Sequence, residues 1–151
     1  MALDRGQLMR DNRQISIQLD LLSNRALAEN DITGVQAHAL LYVLRQTDGG
    51  TSVTELHRAS GHSKATISHL VKRLREKGYV RMEPCLEDDR RRLLFGTEKG
   101  RQLQDALETS LRSTEDALYR DFSPKELSTL DRLQKKMLRN LSATQREATK
   151  Q

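Results

Sequence analysis

Arg90, Arg91 and Arg92 stand in a row, and a run of like charge costs stability unless something of opposite charge meets it. The chemistry such a run offers is anion recognition, because a guanidinium presents a planar fork of donors that matches phosphate or carboxylate. A second basic stretch lies upstream. From Thr54 to Arg81, 28 residues, there are seven Lys or Arg against two Glu, so this window alone carries the +5 net charge of the chain. Three histidines, His57, His62 and His69, fall in it as well. No nucleophile–base–acid set, phosphate-cradling loop or metal-ligand cluster accompanies them. The residues ask for binding, with no enzyme activity and no cofactor expected.

A chain of 151 residues with one cysteine, Cys85, suits a single domain spanning 1–151 and excludes both an internal disulfide and a Cys-only metal site. The longest apolar run is Ala39–Leu44, and Asp4, Arg5 and Arg10 interrupt the N-terminus. Neither a membrane span nor a secretory signal is expected, and the protein reads as cytoplasmic.

The elements that must position the basic residues follow from periodicity and capping. Leu8, Ile15, Leu19, Leu22 and Ala26 mark an amphipathic helix from about Asp4 to Glu29. Thr33 with Gln36, and Ser52 with Glu55, have capping-box spacing and open a second and a third helix. Asp48-Gly49-Gly50 is expected to end the second and Gly61 the third. Ser63 caps a fourth, whose inward positions are Ile67, Leu70, Val71 and Leu74, with Gly78 as its left-handed end. The period then changes to two at Val80 and Met82, Pro84 closes that strand, and Leu93-Leu94-Phe95 returns it. The arginine run is therefore the tip of a β-hairpin. Thr97 caps a fifth helix running to about Arg120, and Ser123-Pro124-Lys125-Glu126 opens a sixth.

The expected fold is mainly α with a small β-hairpin wing: a winged helix-turn-helix of six helices. Such a motif places its second helix in the major groove of double-stranded DNA and its hairpin at phosphates or in the minor groove. Lys64, Thr66, Ser68, His69 and Lys72 project outward from the fourth helix, Arg73 and Arg75 are expected at the DNA backbone, and Arg90 and Arg91 at the wing. Asp88 is expected to orient the wing, by a turn bond to its own backbone or by pairing with Arg90. The histidine spacings of five and seven residues do not put all three on one face, so surface or DNA-facing roles fit them better than a metal site. A module binding protein or RNA is the alternative reading; only one aromatic, Tyr79, interrupts the basic window, so a base-stacking platform is missing.

The stretch "ELHRASGHSKATISHLVKRLREKGYV", Glu55 to Val80, and "DDRRRLLFGTEKG", Asp88 to Gly100, resemble the MarR (multiple antibiotic resistance regulator) family of bacterial transcription regulators. Asp88-x-Arg90 with Thr97 and Gly100 looks like that family's wing signature. The resemblance implies a ligand-responsive repressor, a homodimer whose terminal helices (1–30 and 98–145) interlock around a DNA-binding lobe (33–97), and a pseudo-palindromic operator. It places DNA contacts at Ser63, Lys64, Thr66, Ser68, His69 and Arg90, and it implies a small aromatic anion as effector. Two positions depart from the family pattern: His57, where a small residue is usual, and Gly96, where a leucine usually precedes the threonine and whose smallness implies a looser base to the wing.

Overall fold

The computed structural model describes residues 2–46, 49–88 and 90–150. They form α1 (Arg5–Leu27), α2 (Gly34–Leu44), β1 (Thr51–Ser52), α3 (Val53–Ser60), α4 (Lys64–Glu76), β2 (Val80–Pro84), β3 (Arg92–Gly96), α5 (Glu98–Leu118) and α6 (Pro124–Thr149), with a 3₁₀ turn at Ala28–Asn30. Two compact units result, Met1–Glu115 and Asp116–Gln151.

In the first unit each helix begins where a side chain can satisfy the orphan N–H groups of a first turn. Asp4 accepts from the Gln7 N–H, and the two expected capping boxes form reciprocally at Thr33/Gln36 and Ser52/Glu55. Gly61 and Gly78 end α3 and the turn after α4 with φ of 76° and 80°, values that cost a side-chain-bearing residue steric strain. The second helix stops at Leu44, ahead of the expected glycine turn; Asp48 of that turn, like Asp89 of the wing, lies outside the described residues.

Leu27, Leu40, Leu41, Leu56, Ile67, Leu74, Leu94 and Leu107 are fully buried and join α1, α2, α3, α4, β3 and α5 in one core. Each such side chain contributes roughly 1.5–3 kcal/mol relative to exposure. The expected hairpin is part of a three-stranded antiparallel sheet in the order β1-β3-β2, with Thr51 opposite Leu94 and Val80 opposite Gly96. Strand β1 went unforeseen because two residues show no alternation, and Ser52 also serves as the cap of α3.

Gly96 overturns one expectation. It is buried on β3, and a Cβ there would run into the Leu44 side chain, while its carbonyl accepts from Arg101 Nη1 at 2.9 Å. The missing side chain makes the base of the wing close-packed rather than loose.

On α1 the apolar positions Leu8, Ile15 and Leu22 remain exposed, and the buried residues are Ser23 and Leu27. The second unit begins with an edge-to-face pair of Tyr119 and Phe122, ring centroids 5.8 Å apart. Ser123 and Glu126 form the third capping box ahead of α6, with Pro124 in the first turn. No residue of α6 is buried, and Leu133, Met137, Leu138 and Leu141 stand exposed. No helix among the described residues is long and apolar enough to cross a membrane.

Candidate nucleic-acid interface

The fourth helix is held from both ends. At its start the Ser63 hydroxyl accepts from the Thr66 N–H at 3.2 Å and donates to Thr66 Oγ1 at 2.9 Å. At its end Lys77 donates to the Asp31 carbonyl at 2.6 Å and to Gln36 Oε1 at 3.2 Å, tying the C-terminus of α4 to the turn before α2 and to the side chain of its capping box. Ile67, Leu70, Val71 and Leu74 face the core as expected. Lys64, Thr66, Ser68, His69, Lys72 and Arg73 are all exposed, a continuous polar face with donors along it. Arg73 is partly engaged by Glu76, at 3.6 Å.

At the wing tip the Asp88 carboxylate accepts from the Arg90 N–H at 3.0 Å, and its carbonyl accepts from the Arg91 N–H at 3.0 Å. Of the two arrangements expected for Asp88, this is the turn bond. The three arginines then part company. Arg90 and Arg92 are exposed and form no ion pair among the described residues, whereas Arg91 turns back to place Nη2 2.8 Å from Glu55 Oε1. Arg91 thus sits against α3 instead of extending from the tip. Behind the tip, Arg81 stacks on Phe95, 4.5 Å from the ring centroid, and pairs with Glu83.

Glu55 is the node of this arrangement. Its carboxylate accepts from Thr51 Oγ1 at 2.7 Å and the Ser52 N–H at 3.3 Å as well as from Arg91. The Thr51 hydroxyl first, then the Ser52 N–H and the Arg91 charge, hold the carboxyl below the usual carboxylate range. The capping-box spacing had shown what Glu55 does for its own helix. Its hold on the wing, across 36 residues of chain, left no local signal.

Thr97 does at the base of the wing what Glu55 does at its tip. Its hydroxyl donates to the Gly78 carbonyl at 2.6 Å and accepts from the Gly100 N–H at 3.1 Å. One side chain joins the turn after α4 to the first turn of α5. Gly100 lets that helix approach so closely that a Cβ there would strike the Tyr79 carbonyl. His57 is half-buried on α3, which packs against α4. No three His, Cys, Asp or Glu side chains gather among the described residues in a way that could hold a metal ion.

A cavity of about 550 Å³ opens beside this interface, where α1 faces the helix-turn-helix. Its polar lining includes Ser16 and Asp20 of α1, His38 and Tyr42 of α2, Arg45 just after it, and His62 before α4. Arg45 is held 3.6 Å from Glu108 of α5.

A short two-residue strand, two helices across a tight turn and a charged antiparallel hairpin define a winged helix-turn-helix protein. Residues 30–91 match the sequence model of the MarR family. A solved structure of an S. aureus MepR–DNA complex is similar over 92% of this chain and 99% of its own, at 24% identity and a TM-score of 0.81. The transcriptional regulator SlyA is similar over 91% and 95% respectively, at 21% identity and a TM-score of 0.82. A mutant E. coli MarR complexed with operator DNA is similar over 87% and 94%, at 24% identity and a TM-score of 0.77. No curated protein sequence matches the chain. Residues 30–91 are thus a MarR-family segment, set in a chain with the fold of MarR-family winged-helix regulators.

Proposed function

We propose that the protein is a sequence-specific regulator of transcription that binds double-stranded DNA as a homodimer on a pseudo-palindromic operator, and that it represses until a small molecule releases it. The observation that carries the reading is the exposed donor face of α4 together with a wing whose Arg90 is exposed in a turn closed by Asp88. In this reading Ser63, Lys64, Thr66, Ser68, His69 and Lys72 meet the major groove, Arg73 a backbone phosphate and Arg90 the minor groove. Ser63 and Thr66 bond to each other, so either must exchange that partner for DNA or act by shaping the helix start. Segment 33–97 is the DNA-binding lobe, and the role is binding without catalysis. The shared fold of the MepR and MarR structures solved with DNA supports this.

The dimer would be built from 1–30 and 98–145, where the exposed Leu8, Ile15 and Leu22 of α1 and Leu133, Met137, Leu138 and Leu141 of α6 offer apolar surface to a second copy. Two recognition helices must then stand about one turn of DNA apart, ~34 Å. The cavity between α1 and the helix-turn-helix is the place for an effector, since a molecule there touches both the dimer helix and the lobe. His38, His62, Tyr42 and Arg45 could each donate to an aromatic anion, with Asp20 opposing them. Such a regulator works in the cytoplasm, where its DNA is.

Selection from a random duplex library, followed by affinity against scrambled DNA across salt, tests the reading. A two-fold symmetric winner bound at least a thousandfold tighter than scrambled duplex, roughly the lower bound for specific binding, is the expected result. Uniform, steeply salt-dependent binding would show that the basic window acts only as a charge.

A further inference from the structure

A groove of about 500 Å³ lies between the first turns of α3 and the wing, with Thr54 and Arg58 on one wall and Asp88, Arg90 and Arg92 on the other. We propose that this groove seats a backbone phosphate of the DNA, held by Arg58 and Arg92, two residues the readings above leave without a role. The inference rests on the DNA-binding reading and extends it to a third surface, between the recognition helix and the wing.

Placement is the first ground. Helix α3 packs against α4 and also against β1 and β3, so it adjoins both the recognition helix and the sheet that carries the wing. When a helix enters the major groove and a wing the neighbouring minor groove, the sugar–phosphate ridge dividing the grooves must cross whatever lies between them. In this molecule α3 adjoins both, and the groove lies between its first turns and the wing.

Charge is the second. Four arginines and two carboxylates line the groove, and both carboxylates are already engaged. Glu55 accepts from Thr51, Ser52 and Arg91, and Asp88 Oδ1 accepts from the Arg90 N–H. Arg91 and Glu55 cancel in the floor. Arg58 and Arg92 are exposed and form no ion pair among the described residues, so two guanidinium groups line one cleft that holds four arginines against two carboxylates. A partner with anionic oxygens removes that repulsion and fits the donor geometry. Thr54, exposed at the same rim, adds a hydroxyl donor.

The test uses the full-length protein and the duplex recovered by selection, with Arg58→Ala and Arg92→Ala compared with wild type across a salt series. A residue that neutralises one phosphate contributes about 0.9 to the slope of log affinity against log salt. Because the two arginines share one phosphate, the Arg58→Ala/Arg92→Ala double variant should lose about 0.9 of slope, so that raising salt from about 50 to about 200 mM costs it about 3.5-fold less affinity than it costs wild type, and each single variant should lose part of that. The preferred base sequence should stay the same, because a phosphate contact reads no bases. A neutral methylphosphonate placed in turn along the duplex should at one position per half-site mimic the double variant and add nothing to it. A wild-type slope in the double variant overturns the seat while leaving the regulator reading intact. A wild-type protein that binds no duplex overturns both.

Discussion

Replacing Thr97 with valine removes one oxygen and changes almost nothing in shape, so its effect isolates the hydroxyl that joins the end of α4 to the start of α5. Two bonds disappear together. The Gly100 N–H loses its cap, a change worth about 1 kcal/mol at helix starts. The Gly78 carbonyl loses a 2.6 Å donor, and a buried acceptor left unpaired costs about 1–3 kcal/mol. Gly78 is only half-buried, so water can partly replace the donor and the lower end applies. The sum is about 2 kcal/mol, and with a urea dependence of about 2 kcal/mol per molar the unfolding midpoint should fall by about 1 M. Thr97→Ser keeps the oxygen and should stay within about 0.5 kcal/mol of wild type in the same urea titration, followed by far-ultraviolet circular dichroism. If valine is tolerated as well as serine, the hydroxyl is not what joins the two helices. If serine is as damaging as valine, the methyl group that serine lacks contributes as much as the hydroxyl, and the two hydrogen bonds are not enough to account for the junction.

The Glu55–Arg91 pair is about half exposed on both sides, so a double-mutant cycle with Glu55→Gln and Arg91→Met should give a coupling of about 0.2–1 kcal/mol in urea stability. Glutamine keeps an acceptor for Thr51 and Ser52, so additive effects would show that the wing is not latched to α3. Acid titration checks the same node by another route. Glu55 is held low chiefly by the Thr51 hydroxyl and then by Ser52 and Arg91, and Glu126 by the Ser123 N–H and then its hydroxyl. A carboxyl held lower when folded than when unfolded contributes stability fully above the ordinary value of 4.5, and loses it as pH falls through the folded value. The Glu55→Gln/Glu126→Gln variant should therefore lose less stability than wild type between about pH 6 and about pH 3. Parallel acid limbs would assign the acid sensitivity to other groups.

What the sequence made legible was local. The pairs Thr33/Gln36, Ser52/Glu55 and Ser123/Glu126 each sit three residues apart, and each formed the reciprocal box that spacing predicts. The inward face of α4 was readable because burial on a helix repeats with the turn. Capping and periodicity fail where a residue's partner is set by the fold. Arg91 looked like one of three equivalent tip arginines, and only the pairing of β1 with β3 brings Glu55 within 2.8 Å of it. Gly96 looked like a weakness because its neighbour Leu44 belongs to a helix far back in the chain. The stripe on α1 was seen correctly as apolar, yet most of it stays exposed in one copy of the chain, since periodicity reports a face and not what covers it.

These ties bear on how the proposed switch could work. Beyond the hold of Lys77 on Asp31 and Gln36, Lys99 of α5 donates to the Lys77 carbonyl at 2.8 Å and lies over the Tyr79 ring, 5.1 Å from its centroid. Thr97 closes the same junction from the wing side. Helix α4 is thus bonded at its C-terminal end to the turn after α1, to α2 and to the start of α5. A close-packed body of this kind shifts between discrete arrangements and does not bend at one element. An effector in the cavity between α1 and the helix-turn-helix therefore cannot rotate α4 alone without breaking several of these bonds. Its cheaper course is to move α4 together with the elements these bonds tie to it, changing the separation of two recognition helices while leaving each one's side chains in place. Each half-site would then be read as before, and only their spacing would be wrong.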